Sequence, residues 1–281
     1  MAVWLVTGSS RGLGWHLVKE LLADGHQVAA ISRVIAVGEP EHPQLLRLAA
    51  DLVDPIQVGE AVAATVQRFG RIDTVINNAG KGLLGAIEEA SDAEVREVFE
   101  LNLHGALNVI RAVLPGFRAQ RAGNLVNISS LAGFSGAASW GVYSASKFAL
   151  EGLSEALAKE TAALGVRVLI VEPGILRTEF LEDQSLLTSQ TRIADYEASS
   201  GVARGGLAQS RGQQPGDPQQ AARRIIDQVG AGLPADGFAS RLILGSDAAR
   251  VISAKLALLQ GQVAASAPLA GSIDFASAPA A

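Results

Sequence analysis

Val3–Ile31 reads VWLVTGSSRGLGWHLVKELLADGHQVAAI: an apolar run, a glycine-rich turn, an amphipathic stretch and a second apolar run. Val3–Val6 and Gln27–Ile31 have the short, β-branched composition of buried strands, and Gly12–Ala23 between them has a helical spacing of apolar positions. The alternation continues outward from this unit. Leu45–Ala50, Thr74–Asn77, Asn124–Ser129 and Val166–Val171 read as further strands, and Pro55–Phe69, Asp92–Arg118 and Val142–Leu164 as further helices. Asp92–Arg118 carries Val95, Val98, Phe99 and Leu103 at helical spacings, with Ser91 or Asp92 placed to cap its start. Strands regularly separated by helices pair in parallel through right-handed crossovers. The expected class is therefore α/β, a doubly wound parallel sheet with helices on both faces.

After Pro173-Gly174 the pattern changes. Leu181–Gln214 is rich in Ser, Gln, Gly and Ala, with a short helix expected around Ile193–Glu197, and loops of this length commonly act as lids. A helix over about Pro218–Val229, a strand at Arg241–Leu244 and a helix from Asp247 to about Leu259 follow. Ala264–Ala281 reads as a partly disordered tail, rich in Ala, Ser and Pro. No repeat or linker divides the chain. The expectation is one domain over residues 1–262, with an insertion at about 179–215 and a tail over 263–281.

Composition narrows the chemistry. The chain has 281 residues, 48 % hydrophobic and 18 % charged, enough material for a large core. Its 23 Lys and Arg against 28 Asp and Glu give a net charge of −5, with no basic block to suit nucleic acid or an anionic membrane. With no cysteine, disulfides, thiolate metal sites and a cysteine nucleophile are all excluded. The four histidines do not fall at a metal-ligand spacing, so no metal is expected. Neither an export signal nor a run of about 18 uninterrupted apolar residues is found, and a soluble cytoplasmic protein is expected.

Three motifs carry the chemistry. In Thr7-Gly8-Ser9-Ser10-Arg11-Gly12-Leu13-Gly14, glycines allow a sharp turn between strand and helix, and the helix N-terminus offers free N–H groups to a pyrophosphate. The strand before and the helix after make this a Rossmann-type dinucleotide turn. The second strand ends in Ser32-Arg33, where an acidic residue would bind a ribose 2′-hydroxyl; a hydroxyl and a guanidinium suit a 2′-phosphate instead. Arg11 is placed to add a second cation to that pocket. The pair thus favours NADP(H) over NAD. The third motif is Tyr143-Ser144-Ala145-Ser146-Lys147, a tyrosine and a lysine on one helical face. With two tyrosines and five lysines in the chain, chance supplies only about 0.04 such pairs. A neighbouring cation favours the phenolate and lowers the tyrosine pKa, giving a group that moves protons near neutral pH. Ser130, just past the strand ending Asn127-Ile128-Ser129, stands at the ligand-bearing edge of the sheet, where its hydroxyl can hold a carbonyl oxygen.

In these motifs the chain resembles the short-chain dehydrogenase/reductase family in its compact form, closely over about Ala2–Thr178. Further matches are Asn77-Asn78-Ala79-Gly80 after the fourth strand, Asn102 and Pro173-Gly174-x-x-x-Thr178. The likeness is greatest to the subgroup similar to 17β-hydroxysteroid dehydrogenases. The resemblance implies that Tyr143 is the acid/base, that Ser130 polarises the carbonyl, and that Lys147 binds the nicotinamide ribose and lowers the pKa of Tyr143. It implies that Asn102 holds a water in a proton relay to Lys147. By the same likeness Gly8, Ser10, Gly12, Leu13 and Gly14 form the cofactor turn, Asn78, Ala79 and Gly80 line the adenosine side, and Asp51 and Leu52 meet the adenine. Pro173, Gly174, Ile175 and Thr178 position the carboxamide.

The expected activity is hydride transfer between NADP(H) and a carbonyl or secondary alcohol, with Phe180 and Leu186 in a lid that suits a hydrophobic substrate. Steroids, fatty-acyl ketones, aromatic ketones and small diketones all remain open. Trp140, three residues before Tyr143, reads equally as a pocket wall or a packed core residue. Relatives dimerise and tetramerise through helices like Asp92–Arg118 and Val142–Leu164, so a homodimer or homotetramer is expected. Two departures from the family pattern are a loop in place of a helix over Val34–Gln44 and a bulky Trp15. A sugar-nucleotide epimerase or dehydratase usually carries a longer C-terminal domain than the roughly one hundred residues after Thr178, and a non-catalytic NADP sensor would need only the cofactor turn.

Overall fold

Runs of Val, Ile and Leu bounded by turn residues become strands buried on both faces, as parallel sheets require. The computed structural model describes residues 1–35, 42–182 and 184–275. In chain order its elements begin with β1 (Val3–Thr7), α1 (Gly12–Ala23), β2 (Gln27–Ser32), β3 (Leu45–Ala49), α2 (Pro55–Phe69), β4 (Thr74–Asn77) and β5 (Gly82–Leu84). Then come α3 (Asp92–Phe99), α4 (Ala106–Gln120), β6 (Gly123–Ile128), α5 (Gly141–Thr161) and β7 (Val166–Pro173). The chain continues through β8 (Leu186–Thr188), α6 (Val202–Ser210), α7 (Pro218–Gly230), β9 (Ser240–Leu244) and α8 (Ser246–Ala270).

Seven strands form one parallel sheet in the order β3-β2-β1-β4-β6-β7-β9. Alternate residues feed two cores. Trp4, Val6, Val126 and Leu169 pack with Leu17 and Leu21 of α1 and Ile225 of α7 on one face. Leu5, Val75, Leu125 and Val168 pack with Val58 of α2, Val109 and Phe117 of α4 and Leu157 of α5 on the other. The helices start where side chains can satisfy free N–H groups: Asp54 accepts from Ile56 N at 2.8 Å ahead of Pro55, and Asp217 accepts from Gln219 N at 2.8 Å ahead of Pro218. The strand order reverses between β1 and β4, so a crevice opens at their C-terminal ends, the usual ligand position of doubly wound sheets.

The structure departs from the sequence reading in three places. The expected helix Asp92–Arg118 is two helices joined by a π-turn at Glu100–Gly105, with Asn102 buried in the turn. Single π-turns inside helices often mark functional positions. The stretch read as a loop over Leu181–Gln214 contains β8, a 3₁₀ turn at Ala194–Tyr196, a π-turn at Glu197–Gly201 and α6. There β8 pairs in parallel with β5, Leu83 opposite Leu187, as a separate two-stranded sheet. The loop expected over Val34–Gln44 lies largely outside the described residues, at 36–41.

The third departure is α8. It was expected to end near Leu259 with a disordered tail beyond, yet it runs to Ala270 and a 3₁₀ turn carries it to Ile273; 276–281 lie outside the described residues. Alanines, the best helix formers, fill much of this stretch. Ala248 and Ile252 are its buried residues, while Leu256, Leu258, Val263 and Leu269 stand exposed. By length and composition the helical stretch Ser246–Ile273, with an 18-residue window of mean hydropathy 1.2, is long and apolar enough to cross a membrane. Gln260, Gln262 and Ser266 interrupt the run and hid it from a search for unbroken apolar residues. A chain ended after Lys255 is expected to melt within roughly 2 °C of the full chain, because none of the described residues it removes is buried. A larger drop in a thermal melt would show that the removed stretch supports the domain.

Candidate active site

The crevice begins at the turn between β1 and α1. Gly8 has φ +65°, and a Cβ on Gly14 would lie 2.2 Å from Gly8 O, so this close crossing of strand and helix needs glycine at both positions. Asn78, just after β4, clamps the turn from the side: its Nδ2 donates to Thr7 O at 2.9 Å and to Gly8 O at 3.1 Å. Thr7 Oγ1 returns the contact by accepting from Asn78 N at 3.0 Å and Ala79 N at 3.2 Å.

From here a cavity of about 1190 Å³ runs past the end of β2 to the N-terminal turn of α5. Most residues singled out from the sequence line it: Gly8, Ser10–Leu13, Ser32, Arg33, Leu52, Asn78–Gly80, Ser130, Tyr143, Lys147, Pro173–Ile175 and Thr178. Gly14, Asp51 and Asn102 do not. Gly14 lies beneath the turn. Asp51 is exposed and its Oδ1 turns back to accept from Val53 N at 3.1 Å, leaving Ala50 and Leu52 to face the cavity.

Tyr143 and Lys147 project from one face of α5 and both are buried. Ser130 stands beside the Tyr143 hydroxyl, close enough to draw its pKa down, and its own Oγ accepts from Ala132 N at 3.1 Å. Lys147 Nζ donates to Ile128 O at 2.7 Å and stands 5.9 Å from the centre of the Tyr143 ring. Its ammonium is thus committed to a main-chain carbonyl. The expected lowering of the Tyr143 pKa is accordingly reversed: burial pushes it up to about 12, against a smaller downward pull from Ser130. Burial also brings Lys147 down to about 8, with the Glu151 carboxylate opposing the fall.

Asn102 braces the site rather than facing it. Its Nδ2 donates to Lys81 O and to Ser146 Oγ, both at 2.9 Å, and its Oδ1 accepts from Lys81 N at 2.8 Å. Both amide hydrogens therefore have protein partners, and the side chain ties the π-turn to α5. Ser146 Oγ in turn donates to Tyr143 O at 2.7 Å.

Trp140 is a wall of the cavity, half-buried, its ring edge-on to Tyr143 with centroids 5.8 Å apart; Phe180 closes from the other side at 5.7 Å. Ser139, buried with φ +70°, makes the strained bend that delivers Trp140. Trp15 lies outside the cavity, on α1 with Lys19 Nζ 4.4 Å above its ring.

Arg11 does not join Arg33 at the end of β2. Its Nη2 donates to Ser185 Oγ at 2.7 Å and its Nη1 to Gln184, so it ties the cofactor turn to the lid. Arg33 follows β2 at the exposed rim.

Two further positioning residues escaped the sequence reading. Asp247, at the start of α8, accepts from Ile175 N at 2.8 Å and packs against Gly174, where a Cβ would come within 2.0 Å of its Oδ1. Buried Glu89 holds the lid: its carboxylate accepts from Ala86 N at 2.9 Å, Ile193 N at 3.1 Å and Arg204 Nη1 at 2.7 Å. These backbone bonds first, and then Arg204, bring its pKa down to about 2. A single glutamate among the acidic residues around 88–97 gives no local sign of a partner a hundred residues away. Replacing Arg204 with Ala is expected to speed proteolytic cleavage within 190–210 and to raise KM more than it lowers kcat, because the lid loosens while α5 is untouched. Equal losses in both parameters would show that the lid acts on the chemistry itself.

A family model for short chain dehydrogenases matches residues 2–186. Oxidoreductase BOA17 of Botryotinia fuckeliana is 34 % identical over 251 residues, which are 88 % of this chain and 89 % of that protein. A short-chain dehydrogenase structure from Streptomyces avermitilis superposes with a TM-score of 0.85 at 33 % identity, over 98 % of this chain and all of that one. One from Burkholderia cenocepacia, in complex with NADP, gives 0.72 at 26 % identity over 94 % and 96 %.

Proposed function

The chain belongs to the short-chain dehydrogenase family, and from that premise we propose that it is an NADP(H)-dependent oxidoreductase acting on the carbonyl or secondary alcohol of an uncharged, apolar substrate. The observation that carries this reading is that Ser130 and Tyr143 line one apolar cavity side by side, with buried Lys147 one turn further along α5.

The residues present fit a nicotinamide dinucleotide. The close crossing at Gly8 and Gly14 aims the N-terminus of α1 at the crevice, where its free N–H groups suit a pyrophosphate. Ser32 and Arg33 stand where a 2′-phosphate would be read, and Pro173–Ile175 and Thr178 line the end nearest Tyr143. When bound, the cofactor supplies or accepts the hydride. Arg11, engaged with the lid, is left out of the phosphate pocket in this reading.

The chain's own part is to bind, orient and move a proton. A hydroxyl with a pKa of about 12 is fully protonated at neutral pH, so Tyr143 is ready to protonate the oxygen of a carbonyl under reduction. Ser130 donates to the same oxygen. Lys147 supplies positive charge below the ring while it remains protonated, and Asn102 and Ser146 hold the turn of α5 that carries both. Trp140, Phe180, Leu176 and Leu181 wall the substrate end. Of the other cations that line the cavity, Arg11 and Lys81 are engaged with the lid and with Glu97, which leaves them poorly placed to neutralise an acidic substrate.

The test is NADPH oxidation over neutral ketones and their carboxylate counterparts. Neutral ketones should react at least tenfold better. The rate of reduction should stay level near neutrality and fall as pH rises through about 8, because Lys147 loses its proton there while Tyr143 keeps its own. A preference for carboxylates would overturn the substrate class, and a rate that rises through pH 8 would overturn the proton assignment.

A further inference from the structure

Behind the catalytic face of α5 lies a line of buried charges that the reaction above does not use. Tyr143, Lys147 and Glu151 follow one another at successive turns of the helix, and all three are buried. Glu151 Oε1 accepts from Ser129 Oγ at 2.6 Å, and its Oε2 accepts from Arg241 Nη1 at 2.8 Å. Arg241, on β9, also pairs with Glu172 at the end of β7, and its Nη2 reaches Glu155 at 2.5 Å. Three of its members adjoin site residues. Ser129 precedes Ser130, Glu172 precedes Pro173, and Glu151 follows Lys147 by one turn. Gly133 leaves the room this needs: a Cβ there would lie 2.3 Å from Ser129 Oγ and 2.5 Å from Glu151 Oε1. Charges removed from water persist only when paired, and here Lys147, Glu151, Arg241 and Glu172 alternate in sign.

We propose that Glu151 is a positioning residue for the reaction, holding Ser129, and through it Ser130, in place while its negative charge keeps Lys147 protonated. The proposal rests on the reading of Ser130 and Lys147 as site groups. The other elements packed around Lys147 present uncharged groups: the Ile128 carbonyl from β6, Gly80 after β4, Asn102 in the π-turn and Tyr143 on the same helix. Lys81, beside Gly80, directs its ammonium to Glu97. Glu151 itself faces Arg241 and, around that arginine, Glu172 and Glu155. Burial, followed by the charge of Glu151, raises the pKa of Glu172.

The test is an NMR titration of the full chain carrying lysine labelled with ¹³C at Cε. The five lysines give few signals, and Lys147 is identified by its absence in Lys147→Met. Glu151→Gln, which can still accept from Ser129, is expected to lower the Lys147 midpoint by roughly one pH unit, a tenfold rise in its proton dissociation constant. Glu155→Gln, on the solvent side of the same arginine, should move it by less than a third of that. Glu151→Asp keeps the charge and should hold the midpoint near that of the parent, and it serves as the measurement if the Gln variant does not fold. In turnover, the alkaline fall of kcat/KM should move with the midpoint. An unmoved midpoint in Glu151→Gln, or an Asp variant that falls by a full unit, overturns the proposal. The titration needs neither substrate nor cofactor, so a failed oxidoreductase reading would show separately, as undiminished turnover in Tyr143→Phe.

Discussion

Replacing Tyr143 with Phe should lower kcat for ketone reduction by about 10²–10⁴-fold while leaving NADPH affinity within about twofold. The ring stays, so its edge contact with Trp140 and its packing on Phe180 stay as well. What goes is one hydroxyl, the group beside Ser130. Binding measured by nucleotide fluorescence and turnover measured on the same sample separate the two effects. Activity within tenfold of the parent would mean that the proton comes from elsewhere. A parallel loss of NADPH binding would mean that the hydroxyl serves the nucleotide rather than the substrate.

The second large effect concerns Arg33. A guanidinium that meets a phosphate makes charge-assisted hydrogen bonds worth roughly 1.5–3 kcal/mol. Arg33→Ala should therefore weaken NADPH by about 10- to 100-fold and leave NADH nearly unchanged. Because Arg11 is tied to Gln184 and Ser185, it offers no ready substitute. Equal losses for both nucleotides would remove the phosphate pocket from the reading, and an unchanged NADPH affinity would return the role to Arg11.

The parts legible in the sequence were those written in local spacing. The apolar runs of β1, β4, β6 and β7 and the glycines at 8, 12 and 14 each announce their conformation within a few residues, and so does the Tyr143–Lys147 interval. The π-turn was hidden because Glu100–Gly105 contains no helix breaker and the apolar period continues on either side of it. Three-residue strands such as β5 and β8 are too short to show alternation. The destinations of Arg11, Glu89 and Asp247 depend on partners 72 to 174 positions away, and no local pattern encodes them. The direction of the Tyr143 pKa was misread for a related reason. Adjacency on a helix places Lys147 near the ring, but only the full packing reveals how dry the hydroxyl is and that the ammonium bonds to Ile128 instead.

The pairing of β5 with β8 has an engineering consequence. It is a staple three residues long that joins the segment after Asn78–Gly80 to the lid, Gly82 opposite Leu186 and Leu84 opposite Thr188. Chain beyond Thr188 is anchored again where Leu176 bridges Gly216 and Asp217 caps α7. The stretch between these two anchors, with Ile193 and Arg204 kept for Glu89, is therefore an exchangeable cassette. Grafts of different length can enter there without shifting the register of the main sheet, which makes this the natural place to rewrite what the protein accepts.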